Sequence, residues 1–246
     1  MGGASSVDLI SGFCEFEQYP SPPAGRRHIT WSERAPVEAT GLGAWFARAA
    51  ADEAGSVGSF RALRRELRRF DFADELLRRL NQAAREEIAH ARLMESRAHR
   101  AGARRPAQRF QPLAQRSLFE IALENAREGC VAETFAALEM AHQAQHAADS
   151  ELRADFERIA REEANHAQLA WELHALYLER LSPGEQEQVT AELSRALASL
   201  EMIESSAELS SFERRTLGLP SAAEASALRQ QLAGELREAA RALLVA

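Results

Sequence analysis

From about residue 41 onward, apolar positions recur every three or four residues, in four long runs. The first run carries Phe46, Ala49, Val57, Phe60 and Leu67, and the second Leu76, Leu80, Ala83 and Met94. The third carries Ile121, Val131, Phe135 and Leu138, and the fourth Phe156, Ile159, Ala170, Leu173 and Tyr177. That period is the signature of an amphipathic helix with one core-facing stripe. The stripes are broken by FDFAD near 70–74, AGARRPAQRFQP at 101–112, AADS at 147–150 and LSPGE at 181–185. Helices are therefore predicted over roughly 42–69, 73–100, 116–147 and 151–180. Short joins make antiparallel hairpins, and the longer join at 101–115 is read as the crossover between two halves. Two further helices are predicted over roughly 184–204 and 221–244, with Pro220 and Ser221 at the second start. No strand pattern is seen. The expected fold class is all-α: an arm over 1–40, a four-helix bundle over 41–180, and a C-terminal helical extension over 181–246.

Composition narrows the chemistry. Ala, Leu, Glu and Arg dominate the helical region, all strong helix formers. At 246 residues with 46% hydrophobic content, the chain fits one core with some extension. No lysine occurs, so all 30 basic residues are arginine and a lysine Schiff base is excluded. The net charge of −7, with no basic stripe, argues against a nucleic-acid partner. Cys14 and Cys130 form no C-x-x-C pair, which excludes a Cys-rich zinc or rubredoxin-type iron site. No run approaches the roughly 18–20 apolar residues that span a membrane. The start MGGASSVDLISGFCEF lacks the basic and apolar regions of a secretory signal. The expectation is a cytoplasmic protein without a membrane partner.

Each stripe is interrupted by acid. Glu53 falls between Ala49 and Val57, Glu87 between Ala83 and Met94, Glu128 between Ile121 and Val131, and Glu163 between Ile159 and Ala170. His90 and His166 follow Glu87 and Glu163 by three residues, one helical turn on the same face. A buried carboxylate is costly unless paired or bound to metal, and four facing one another would repel. The phrase also repeats: residues 84–93 read AREEIAHARL and residues 160–169 read AREEANHAQL. EAGSVGSF begins at Glu53 and EGCVAETF at Glu128, each with Phe seven residues on. Two helix hairpins thus each supply a lone Glu and a Glu-x-x-His. Together they match, rather than independently derive, the four-carboxylate, two-histidine set of di-iron and di-manganese bundles. The expected ligands are Glu53, Glu87, His90, Glu128, Glu163 and His166, holding two iron ions or an iron–manganese pair.

Neighbouring residues compete for these roles. Glu133 rivals Glu128, but five residues of α-helix place it about 140° further round, and the repeat favours Glu128. Glu124, one turn before Glu128, is an auxiliary alternative. Glu86 and Glu162 precede the ligand Glu in both phrases and can accept the second ring N–H of a ligating histidine, or simply be solvated. His142 and His146 lie at least about 21 Å along the helix from Glu128 and read as solvated or capping residues. Cys130, Trp171 and Tyr177 read as packing residues.

Over roughly residues 42–180 the chain resembles the ferritin-like superfamily, and most of all a bacterial group of ferritin-like di-iron carboxylate proteins. DEAGSVGSF, EEIAHARL, EGCVAETFAALE and AREEANHAQLAW carry the resemblance. Ala54 departs from it, since many relatives have His after the lone Glu. The resemblance implies a ferritin-like bundle whose two metal ions react with dioxygen or peroxide. Three functions are weighed. The leading expectation is a non-haem di-iron oxygenase or oxidase acting on a small organic substrate, with an external electron donor and a homodimeric state. Arg64, Arg65 and Arg92 are noted as cations that could meet an anionic substrate. The alternative is a ferroxidase or iron-handling protein. The third is a metal-free helical interaction module.

Overall fold

The computed structural model describes residues 29–31, 40–110, 115–201 and 209–243. Most of the arm predicted over 1–40, including Cys14, lies outside the described residues. Four long helical stretches form the body: α1 (Gly41–Arg69), α2 (Asp74–Arg100), a composite third rod, and α5 (Ser150–Leu178). The third rod runs without a break through α3 (Leu118–Glu124), a π-helical segment (Asn125–Glu133) and α4 (Thr134–His146). These bounds follow the apolar stripes closely. The π-helical segment was not foreseen.

Local chemistry sets the ends. Ser117 and Glu120 form a reciprocal capping box at the start of α3. The Asp149 carboxylate accepts from Glu151 N and Leu152 N at the start of α5. Between α1 and α2 the chain turns through Asp71, whose φ of 53° is left-handed. One small departure from helix occurs: Ile29–Trp31 pairs antiparallel with Gln108–Phe110, a three-residue ribbon that ties the arm to the crossover.

Helix α1 packs along α2, and the π-helical segment with α4 packs along α5. Two apolar clusters fill the interior. One, built on Phe46, Ala50, Met94, Phe156 and Ile159, occupies one end. The other, built on Phe60, Leu80, Ile121, Leu173 and Tyr177, occupies the opposite end. On α1, α2 and α5 the acidic residues fall between the two.

The C-terminal extension shares this core. Helix α6 (Pro183–Glu201) lies on the π-helical segment and contributes Leu193, Leu197 and Leu200 to the second cluster. Helix α7 (Ser211–Leu217) abuts the α4–α5 corner and donates Leu217 to the first. It ends on Gly218 in the left-handed conformation, where a Cβ would meet Ala147 N at 2.3 Å. Helix α8 (Ala222–Leu243) packs on α6. Among the described residues, no helix is long and apolar enough to cross a membrane.

Candidate metal centre

Helices α2 and α5 each turn a Glu-x-x-His face toward the other. Glu87, His90, Glu163 and His166 are all buried, with His90 fully so. Their atoms gather into two groups of four potential ligands. Glu53, Glu87, His90 and Glu163 form one, and Glu87, Glu133, Glu163 and His166 form the other. Within each group the ligand atoms lie within 4.8 Å of one another. Glu87 and Glu163 belong to both groups, as bridging carboxylates would.

Both imidazoles aim Nδ1 at the carboxylates. His90 Nδ1 lies 3.3 Å from Glu163 Oε1, 3.6 Å from Glu87 Oε2 and 3.9 Å from Glu53 Oε2. His166 Nδ1 lies 3.3 Å from both Glu87 Oε1 and Glu163 Oε2. The opposite ring nitrogens are held across the helix pair. His90 Nε2 is 2.5 Å from Glu162 Oε2, and His166 Nε2 is 2.9 Å from Glu86 Oε2. The glutamate before each shared Glu thus orients the histidine of the other helix, as an outer carboxylate would fix a metal-binding imidazole.

The electrostatics are those of a cluster balanced by protons. Burial raises Glu53 well above the usual carboxylate range, and the Glu87 and Glu163 charges raise it further. Burial likewise raises Glu133 well above that range, with the same two neighbours adding to it. For Glu87 and Glu163 burial acts the same way, but the two imidazoles outweigh it and hold both below the ordinary value. Burial alone would lower His90; the Glu163 and Glu87 carboxylates beside it reverse that and lift it to about 11. His166 is raised against burial in the same way, chiefly by Glu163 and Glu86. Two acids raised by burial, two carboxylates held low by the imidazoles and two imidazoles raised by those carboxylates thus face one another.

The donor set fits a pair of divalent ions. Three buried atoms, Glu87 Oε2, His90 Nδ1 and Glu133 Oε1, make no well-aligned hydrogen bond, although His90 Nδ1 lies in ion-pair range of Glu163 and Glu87. Such orphans are costly unless something else satisfies them. Mixed carboxylate and imidazole ligation suits iron or manganese.

Five of the six sequence-predicted ligands come together: Glu53, Glu87, His90, Glu163 and His166. Glu128 does not join either group, and Glu133 stands in the place expected for it. The reason is the π-helical segment. Its i→i+5 hydrogen bonding widens the turn, so a residue five positions on comes round toward the face that an α-helix would give to Glu128. The 140° argument against Glu133 assumed uninterrupted α-helix. The one available signal was the crowding of Asn125, Gly129 and Thr134, small or polar residues of low helix propensity.

These residues hold the segment against its neighbours. Asn125 Nδ2 donates to Ala170 O at 3.0 Å, and Thr134 Oγ1 donates to Cys130 O at 2.7 Å. Gly129 lies so close to α5 that a Cβ there would meet Asn125 Oδ1 at 2.6 Å and Ala170 Cβ at 2.9 Å. Glu128 instead pairs with Arg127, which also reaches Glu192 on α6 at 2.8 Å. Glu124 pairs with Arg116 at 2.7 Å.

A cavity of about 50 Å³ adjoins one half of the centre. It is lined by Glu133 and His166, and touches neither Glu53 nor His90. Arg64, Arg65 and Arg92 do not line it. Cys130 and Tyr177 are buried, and Trp171 donates to Thr134 Oγ1 at 3.2 Å. His142 and His146 stack on each other on α4, away from both ligand groups. No family model, curated protein or solved structure matches the chain.

Proposed function

We propose that the chain is a ferritin-like di-metal carboxylate protein that activates dioxygen or peroxide to oxidise a small organic substrate. The observation that carries this reading is the pair of four-ligand groups sharing Glu87 and Glu163. Glu53 and His90 would complete one metal position, and Glu133 and His166 the other. Two iron ions, or one iron and one manganese, would supply the redox chemistry with dioxygen, with electrons from an external donor. The protein's part is to hold and insulate the pair. Glu86 and Glu162 keep each Nδ1 facing inward, and the apolar clusters at both ends exclude bulk water.

The two long hairpins and the crossover suit a four-helix bundle of the ferritin type, with the C-terminal helices as an added cover on the π-helical segment. One fold hosts many activities, so the site rather than the bundle carries the functional reading. The modest size of the adjoining cavity keeps a second reading in play, a ferroxidase for which ferrous iron is itself the substrate.

The test is anaerobic loading with ferrous iron and a metal count per chain, followed by oxygenated buffer with oxygen uptake recorded. Two irons bound and oxygen consumed is the expected result. No binding, or binding unchanged in Glu87→Ala and Glu163→Ala, would sink the di-metal reading. Iron oxidised far beyond the two bound ions, with no organic product from cell extract, would favour the ferroxidase.

A further inference from the structure

The cavity beside Glu133 and His166 has a chemical character of its own. Its wall is formed mainly by Phe60, Leu63, Leu80, Ile121, Leu169 and Leu173. Leu80, Ile121 and Leu173 are each 1% exposed, so the floor of this half-open cavity is part of the packed core. A wall that is mostly apolar gains more from an apolar guest than from water. At about 50 Å³ it offers about four water-sized places, taking roughly 10–15 Å³ for each.

Charge decides what else can enter. No arginine lines the cavity. The two arginines that pair with its acidic edge are each shared with a second carboxylate: Arg116 with Glu66 and Glu124, Arg127 with Glu128 and Glu192. An anion would face Glu124, Glu128 and Glu133, and the one cationic side chain in the wall, His166, is already held by Glu86, Glu87 and Glu163. An organic cation would have to leave water for a wall of leucine, isoleucine and phenylalanine, while two of the three carboxylates already hold arginines.

We propose that this cavity is the substrate subsite of the centre, and that it takes a small uncharged apolar molecule of about four heavy atoms. The assignment rests on the di-metal reading for its role, but its occupancy does not depend on metal. It makes the two halves of the centre unequal: the Glu133–His166 position faces the guest, and the Glu53–His90 position is the remote one. Leu80 and Leu173 set the size limit.

The test uses xenon on the full-length chain, metal-free and zinc-loaded, followed by xenon NMR shift, with zinc counted on the same samples. Saturable binding is expected in the metal-free chain. 1-Propanol displaces it, while propionate and propylammonium do so at least about tenfold more weakly, because each must bury a charge. Leu173→Phe and Leu80→Phe remove the xenon site, and Leu173→Ala strengthens it and admits longer alcohols; circular dichroism melts identify the variants that fold.

Absence of saturable xenon binding would overturn the proposal. So would displacement by either charged probe as strong as by propanol, which needs no variant. Xenon binding without zinc binding would remove the di-metal reading and leave the cavity's preference standing. Zinc binding without xenon binding would do the reverse.

Discussion

At the scale of single residues, the sharpest contrast is between Glu128 and Glu133. Both are glutamates on one helical rod, yet one is held by Arg127 and the other faces Glu163, Glu87 and His166. Glu133→Ala is expected to lower the metal content from two ions to one, while Glu128→Gln keeps both; atomic absorption on purified protein decides it. The sequence made five of the six clustered side chains legible because Glu-x-x-His spacing survives in ordinary α-helix. The sixth was hidden because ligand register depends on hydrogen bonding that no side-chain pattern announces. The proton inventory gives a second expectation. Burial pushes Glu53 and Glu133 up, and the carboxylates beside His90 and His166 push both imidazoles up, so each holds its proton more tightly than when free. Divalent ions would displace protons from these groups, offsetting part of the charge they bring. Since each of these groups has a raised pKa, metal affinity should rise as pH rises toward those values. Proton release on metal loading is expected with an indicator in weak buffer at pH 7; release near zero would contradict the raised pKa values.

At the scale of elements, the π-helical segment is where local preference and tertiary need diverge. A π turn is rare and poorly sustained on its own, and it often marks a functional site. Here Asn125, Thr134 and the close approach at Gly129 hold it in place. Gly129→Ala would gain up to about 1 kcal/mol of helix propensity. It would also force a methyl against Asn125 and Ala170, at a cost of about 1–3 kcal/mol. Net destabilisation in urea titration is expected, together with weakened binding at the Glu133–His166 position. An unchanged metal count and a higher midpoint would show that the segment relaxes freely. The four long stretches, α6 and α8 were legible in advance because stripes and breaks agreed, whereas the seven-residue α7 was not foreseen. The short ribbon at Ile29–Trp31 was missed because three residues are too few to show alternation.

At the scale of the whole molecule, the metal ions would act as the central tie between two helix pairs. The α1–α2 pair and the pair formed by the π-helical segment, α4 and α5 meet at the cluster, with an apolar core on either side. At a hundredfold excess over Kd, each bound ion adds about 2.7 kcal/mol. Stripping the metal with a chelator should then lower Tm by about 5–10 °C per ion in a chain of this size. A melting curve indifferent to metal would favour the interaction module instead. The C-terminal helices were foreseen as an extension, but not as contributors to the main core. Their stripes alone could not say which surface they would cover.

The crossed pairing of the repeated phrases has a consequence for how such a chain can be divided. Glu86 serves the histidine of the second phrase, and Glu162 the histidine of the first. Neither half contains a finished half-site, so each is an unsolved remainder without its counterpart. A single hairpin bearing one phrase could complete the arrangement only by meeting its own twin about a two-fold axis. The fused chain carries that axis inside itself. A substitution in one copy is therefore expected to disturb the opposite four-residue group as well as its own.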